Sequence, residues 1–159
     1  MENPPEDWEA FLKEHIEGDS INLEEKKITD AHIENIAGMS MIGEFSRLEL
    51  GNNEITDDGV KTLCASPYLE NLRVLNLKSN EITAVGAETL AGCKSLSNLD
   101  QLILKFNKVG DEGAIALSKS EYLSKLTTLD LFRNRVGDDG ARAIKTSQHF
   151  SRLNRLRLD

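Results

Sequence analysis

The residues with side chains suited to catalysis or metal binding are three histidines, two cysteines and the three pairs of adjacent carboxylates that precede a glycine. His15, His32 and His149 could serve as metal ligands or general bases, but they lie in separate segments and nothing in their spacing predicts that they converge. The sequence holds none of the strings typical of a serine hydrolase, a zinc protease, a P-loop or a dinucleotide site. We therefore expect no catalytic residue, no metal site and no cofactor.

Cys64 and Cys93 are separated by 29 residues and are the only cysteines. If both lie on neighbouring helices, about 10 Å apart, their Cα atoms exceed the roughly 7 Å limit for a disulfide. A metal site would need a third ligand near them, and no histidine or cysteine provides one. The pair therefore predicts two free thiols and a reducing, cytoplasmic compartment.

The carboxylate pairs are Asp57-Asp58, Asp111-Glu112 and Asp138-Asp139. Paired carboxylates can bind calcium or perform acid–base chemistry. Each pair, however, directly precedes a glycine at the predicted start of a helix, where acidic groups accept hydrogen bonds from free backbone N–H groups and complement the helix dipole. We interpret all three pairs as helix caps.

The elements that position these residues recur with a fixed period. Asn53, Asn80, Asn107 and Asn134 are 27 residues apart, and each follows a Leu-x-Leu pair and precedes an Ile or Val. A weaker copy begins at Ile21, and a final strand covers residues 156–158. The period predicts one weak and four regular units plus a last strand over residues 20–159.

Each unit predicts a strand, a turn, a short helix and a return. The leucines of the strand point inward, and the asparagine amide satisfies backbone groups of the buried turn. Gly59, Gly86, Gly113 and Gly140 allow the helix start to pack closely on its neighbour. Because strands stack at about 4.8 Å and helices are about 10 Å wide, the helical side must fan outward.

This pattern, LxxLxLxxNxIxxxGxxxL, resembles that of leucine-rich repeat proteins of the ribonuclease-inhibitor-like or cysteine-containing type. The resemblance covers about residues 20–159 and implies an α/β solenoid. In such a solenoid a right-handed horseshoe arc carries a parallel sheet on its concave face and helices on its convex face. His32 occupies the glycine position of the weak unit, and we interpret it as a structural substitution.

Residues 1–19 lie outside the repeat and predict an N-terminal cap. Pro4 and Pro5 precede Trp8, Phe11, Leu12 and Ile16, whose spacing predicts an amphipathic helix over residues 4–17. A capping helix is favoured over a partner-binding helix because the first unit of a solenoid exposes apolar residues unless something covers them. At the other end Leu158 and Asp159 leave an open strand edge, which favours a cut from a longer protein over an edge that pairs with another chain.

Composition excludes several classes of protein. The 159 residues are 39% apolar with a net charge of −8, as expected for one soluble domain without a membrane span. The acidic first residues differ from a secretory signal. Residues 1–53 carry a net charge of −9, residues 54–106 of −2 and residues 107–159 of +3. The overall acidic balance disfavours nucleic acid as a partner.

The surface predicted to bind a partner is the C-terminal half of the concave face, where side chains flank the inward leucines. Two of the five phenylalanines stand there, at positions that the repeat does not require to be apolar. Exposed aromatics beside arginines are typical of protein interfaces. The alternative is that Phe106 folds over the asparagine turn and Phe132 packs on its strand neighbours. The predicted partner-binding residues are Lys78, Ile103, Lys105, Phe106, Asp130, Phe132, Arg133, Arg155 and Arg157.

The resemblance implies a non-catalytic protein–protein interaction module, and the basic C-terminal third predicts a partner with an acidic surface. A regulator of an enzyme, of the inhibitor or GTPase-activating type, is the first alternative, together with the substrate-recognition arm of a larger multidomain or effector protein. Self-association through the uncapped C-terminal strand is a further alternative, and it predicts a concentration-dependent dimer.

Overall fold

The computed structural model describes residues 5–159, which form one seven-stranded sheet whose strands follow sequence order. The first two strands are antiparallel, and all later neighbours are parallel. Leu48, Leu75, Leu102 and Leu129 lie side by side across the sheet, so the predicted 27-residue register is confirmed. The strands are β1 (Ile16–Glu17), β2 (Ser20–Asn22), β3 (Arg47–Glu49), β4 (Val74–Asn76), β5 (Gln101–Ile103), β6 (Thr128–Asp130) and β7 (Arg155–Arg157).

One helix precedes the sheet and one helix lies between each pair of successive parallel strands. Consecutive helices from α2 onward pack against each other, and they enclose a continuous core with the inward leucines of the strands. Two 3₁₀ turns, Ser40–Glu44 and Lys94–Leu96, complete the first and third returns. The helices are α1 (Trp8–Glu14), α2 (Asp30–Ala37), α3 (Asp57–Cys64), α4 (Ala84–Ala91), α5 (Gly110–Ser118) and α6 (Asp138–Lys145).

The asparagine of each regular unit forms a buried ladder, as the sequence predicts. Asn80 accepts a hydrogen bond at Oδ1 from the backbone N–H of Ile55 at 3.0 Å and donates from Nδ2 to the carbonyls of Leu50 and Leu77 at 3.0 and 3.1 Å. Asn53, Asn107 and Asn134 repeat this pattern in their own units. Each amide therefore joins two successive units, because its hydrogen-bond partners come both from its own unit and from the preceding one.

Two of the three carboxylate pairs cap helices through their first residue, but the helix capped belongs to the following unit. No capping hydrogen bond of Asp138 or Asp139 is found among the described residues. Asp57 Oδ1 accepts from the backbone N–H groups of Thr83 and Gly86 at 2.8 and 2.9 Å, at the start of α4. Asp111 does the same for Gly137 and Gly140 at the start of α6. A Cβ atom on Gly86 would lie 2.4 Å from Asp57 Oδ1, so glycine at this position makes room for the neighbouring carboxylate.

The N-terminal segment differs from the predicted helix over residues 4–17. Helix α1 covers only Trp8–Glu14 and is capped by the Asp7 carboxylate, which accepts from the N–H of Ala10 at 3.0 Å. Pro4 lies outside the described residues. Ile16 is not on the helix, because the chain reverses and Ile16 pairs with Ile21 in the sheet, where it is 38% exposed. Leu12 is fully buried in the common core.

The expectation that both cysteines lie on helices about 10 Å apart is wrong. Cys64 ends α3, but Cys93 follows Gly92, beyond the end of α4. This turn carries Cys93 Sγ to within 3.8 Å of the backbone carbonyl oxygen of Cys64. Both are free cysteines.

Candidate functional site

Two phenylalanine rings meet on the solvent-exposed face of the sheet, next to its C-terminal strands. Phe106 and Phe132 form an edge-to-face pair with centroids 5.9 Å apart and an interplanar angle of 79°. Phe106 is 48% exposed, so its ring does not fold away over the asparagine turn. The pair presents an apolar surface that the core does not require.

Two guanidinium groups flank the inner ring of this pair. The Cζ atoms of Arg133 and Arg157 lie 5.4 and 5.6 Å from the centroid of Phe132, within the range of a cation–π contact. We call Phe106, Phe132, Arg133 and Arg157 the aromatic–arginine cluster. Its members come from three successive units, and the 27-residue register brings them together.

The backbone at Phe106 has a conformation that large side chains avoid. Its φ is +60°, in the left-handed region, where a bulky residue is an outlier that costs free energy. The equivalent positions of the other units have the same conformation, with φ of +61° at Glu25, +54° at Asn52, +52° at Ser79 and +59° at Arg133. The repeat therefore imposes this conformation on small and large residues alike. What distinguishes Phe106 is that the other four residues are polar, whereas its side chain is apolar.

Asp130 is a buried carboxylate that contacts two members of the aromatic–arginine cluster. It is 5% exposed, accepts a hydrogen bond from the backbone N–H of Phe132 at 3.1 Å, and lies 3.6 Å from a guanidinium nitrogen of Arg157. The sequence predicts Asp130 as a contact residue, but this burial leaves it little surface to offer. Its geometry instead orients Phe132 and Arg157.

The remaining predicted residues divide into two groups. Ile103 and Lys105 are half-buried beside the cluster, and Arg155 is exposed on β7. Lys78 points the other way, because it crosses Gly51 to form an ion pair with Glu24 two strands away. Lys78 therefore neutralises the acidic end of the face instead of extending the basic one.

Arg135 is a residue that the sequence reasoning missed. A depression of about 540 Å³ is lined by Phe132, Arg133, Arg135 and Asp159. The position after each asparagine carries the signal, since it changes from Glu54 and Glu81 to Lys108 and Arg135 along the chain. This trend adds Arg135 as a third arginine beside Phe132, after Arg133 and Arg157.

The groups considered first for chemistry take structural roles where the structure describes their partners. His32 Nδ1 accepts from the N–H of Thr29 at 3.0 Å at the start of α2, and burial lowers the pKa of its imidazole. His15 Nδ1 lies 2.7 Å from the carbonyl oxygen of Phe11. Within residues 5–159 no three His, Cys, Asp or Glu side chains are grouped so that they could hold a metal ion. No helix in the same range is long and apolar enough to cross a membrane.

Comparison with known families agrees with this geometry. Two family models described as leucine-rich repeat match residues 44–109 and 122–145, which together make up more than half of the chain. The chain is a leucine-rich repeat protein. Such repeat domains typically mediate protein–protein interaction.

Solved structures show the same fold. One matching leucine-rich repeat structure is an internalin from Listeria monocytogenes, with 25% sequence identity and a TM-score of 0.54. The alignment covers 86% of this chain and 39% of the internalin, so the chain spans about two fifths of that protein's length. No curated protein sequence matches the chain.

Proposed function

We propose that this leucine-rich repeat protein is a non-catalytic binding module that holds a protein partner on its concave face through the aromatic–arginine cluster. One observation carries the proposal: Phe106 is a large apolar side chain that is 48% exposed and paired edge-to-face with Phe132, at a turn position that is polar in the other units. A large ring at this position stabilises the isolated fold poorly, but it gives a partner a rigid apolar anchor.

The charges around the rings specify an acidic partner. Arg133, Arg135 and Arg155 are exposed, and no carboxylate of the described residues forms an ion pair with any of the three. Arg157 is paired with Asp130, which fixes its guanidinium against Phe132. A carboxylate-bearing surface that approaches this end gains several charge-assisted hydrogen bonds around an apolar centre.

A second candidate is that the chain acts as the recognition arm of a larger protein or as a regulator of an enzyme. The observation that favours it is length, because the similar internalin extends well beyond the aligned part. The same cluster would then select the substrate or enzyme that the larger protein acts on. Self-association through β7 remains the third candidate, and light scattering that shows only monomer at high concentration would remove it.

The experiment is affinity capture from a lysate of the source cell with three forms of the chain. The first is wild type, the second is Phe106→Ala/Phe132→Ala, and the third is Val85→Ala. Val85 is a matched control because it is a 61% exposed apolar residue on α4, away from the sheet. We expect at least one protein to be retained by wild type and by the control but lost by the double variant.

The charge requirement has its own variant, Arg133→Glu, which should lose the same captured protein. Wild type should also capture less of that protein as the salt concentration rises from about 0.1 M to about 1 M, because the Debye length falls from about 10 Å to about 3 Å. Identical sets of captured proteins for wild type, the double variant and the control would refute the assignment of the site.

We also propose the ribonuclease-inhibitor-like subtype and a cytoplasmic location. The subtype is supported by the returns, since each unit from α2 to α6 crosses over through an α-helix of eight or nine residues. The location is supported by the two free thiols, which a reducing compartment preserves. Imaging of the tagged protein in its source cell tests the location.

A further inference from the structure

A second ladder runs through the returns, on the side of the core opposite to the sheet. The hydroxyls of Ser66 and Ser120 each donate to the backbone carbonyl oxygen of the residue 29 positions earlier, Ala37 and Ala91, at 2.6 Å. Ser147 makes the same bond to Ser118. Cys93 stands at this ladder position in its own unit, and its Sγ lies 3.8 Å from the carbonyl oxygen of Cys64.

The residue that accepts this hydrogen bond varies between units and is Ala37, Cys64, Ala91 or Ser118. Only between α3 and α4 do both the donor and the acceptor position hold cysteine. The same periodicity that aligns the strands therefore brings the chain's two thiols together. The 3.8 Å contact places the Cys93 sulfur against the backbone of Cys64 itself.

Packing alone does not explain this pair. A thiol is a weak hydrogen-bond donor, and serine makes the shorter and stronger bond in the three other units. Alanine fills the position of Cys64 in the units before and after it. Serine and alanine would satisfy the fold at positions 93 and 64. The chain instead has cysteine at both, in the one pair of units where they are donor and acceptor of the same ladder contact.

We propose that Cys64 and Cys93 form a redox-modification site, at which a small-molecule disulfide such as oxidised glutathione converts the two thiols into a disulfide that links consecutive repeat units. This proposal is independent of the partner-binding surface, which lies on the other side of the core.

The exchange proceeds in two steps. Cys64 is partly exposed and Cys93 is 5% exposed, so the Cys64 thiolate attacks oxidised glutathione and releases one glutathione thiolate. Cys93 then attacks the Cys64 sulfur of the mixed disulfide and releases the second. The two protons of the protein thiols go to the two glutathione thiolates, and two electrons pass from the cysteine pair to the small disulfide.

The environment of Cys93 favours its thiolate form. In the reduced pair a hydrogen bond from the Cys64 thiol, followed by the backbone N–H groups of Leu96 and Ser95, lowers the pKa of the Cys93 thiol despite its burial. The same interaction between the two side chains, followed by burial, raises the pKa of Cys64, so the first step is the slow one. In the mixed disulfide Cys64 has no thiol proton, and the two backbone N–H groups alone favour the Cys93 thiolate as it attacks the Cys64 sulfur.

The test uses the reduced full chain, freed of reductant and incubated with oxidised glutathione at neutral pH. We expect a mass loss of about 2 Da, disappearance of both reactive thiols, and reversal of both changes by dithiothreitol. The crosslink closes a loop between the two units, so the Tm should rise by about 5 to 10 °C.

The control variants come from the chain itself, Cys93→Ser and Cys64→Ala, because serine and alanine already occupy these positions in neighbouring units. Each variant keeps one thiol and should give at most one glutathione adduct. If wild type ends with stable adducts, with unmodified thiols, or with a crosslinked form of lower Tm than the reduced form, the proposal is wrong.

Discussion

The repeat determines which type of residue suits most positions of this protein, and Phe106 is the clearest exception. We predict that Phe106→Asn retains or raises thermal stability, because Asn accepts the left-handed conformation as it does at Asn52. The gain is at most about 1 kcal/mol, since the contact with the Phe132 ring is lost at the same time. Partner capture should nevertheless be abolished.

Thermal unfolding and capture are measured on the same preparation, with Ser79→Asn as the control at an equivalent turn. A Phe106→Asn variant that unfolds at clearly lower temperature would show that the ring stabilises the fold. In that case the argument for a binding role at this residue would fail.

His32 gives the protein a pH-dependent contribution to stability. Burial lowers the pKa of its imidazole, so the folded chain binds fewer protons than the unfolded chain at mildly acidic pH. This contribution is complete above the ordinary histidine value of 6.5 and is lost as the pH falls below it. Protonation also removes the acceptor for the Thr29 N–H.

His32→Gln should therefore remove this part of the pH dependence and preserve the cap, because glutamine at the third helical position accepts the same backbone hydrogen bond. The measurement is denaturant unfolding of both proteins at several pH values from 5 to 8, a range of about one to two units around the histidine value. Parallel curves for wild type and variant would show that His32 does not titrate differently on folding.

At the scale of helices, α3, α4 and α6 are each capped by a carboxylate of the preceding unit. Asp57→Ala removes hydrogen bonds to the Thr83 N–H, the Thr83 hydroxyl and the Gly86 N–H, so it should destabilise the fold by about 2 kcal/mol. Asp58→Ala is the matched control, because Asp58 is exposed on the same helical turn, and its effect should stay within about 0.5 kcal/mol. Equal effects of the two substitutions in chemical denaturation would mean that only the helix dipole is involved.

The period explains which elements the sequence could predict. Strand register, the asparagine ladder and the placement of Phe106 and Phe132 on the outer face follow from the 27-residue spacing alone. The strand at Ile16 was missed because it precedes the repeat, where no period fixes its position. The turn at Cys93 keeps the period of Ser66 and Ser120, but it was missed because the helix was expected to continue past Gly92. At the candidate site, Asp130 shows what the sequence could not predict. The repeat register places its side chain on the exposed face of the sheet, but only the structure shows that Arg157 covers it.

Across the whole molecule, contacts run between neighbouring units, so stability is expected to be distributed along one dimension. The net charge follows the same axis, from an acidic first third to a basic last third. Lys78 moderates this gradient by pairing with Glu24, which leaves the unpaired arginines concentrated around the aromatic–arginine cluster. One end of the face is therefore suited to the acidic partner that we propose, and the polarity of the chain would set the orientation of that partner.

Because each unit is stabilised mainly by its neighbours, a substitution at the N-terminal end should destabilise the nearest units most and the distant units least. Leu12→Ala removes a fully buried side chain of α1 and should cost about 2 to 5 kcal/mol. Its control is Glu9→Ala, which removes only an exposed ion pair with Lys13 on the same helix. Hydrogen exchange should show protection lost in β2 and α2 but retained in β5 and β6, because the cap contacts only the first units. If protection falls equally in all strands, the solenoid unfolds as one unit, and helix α1 stabilises the distant aromatic–arginine cluster as strongly as the repeat beside it.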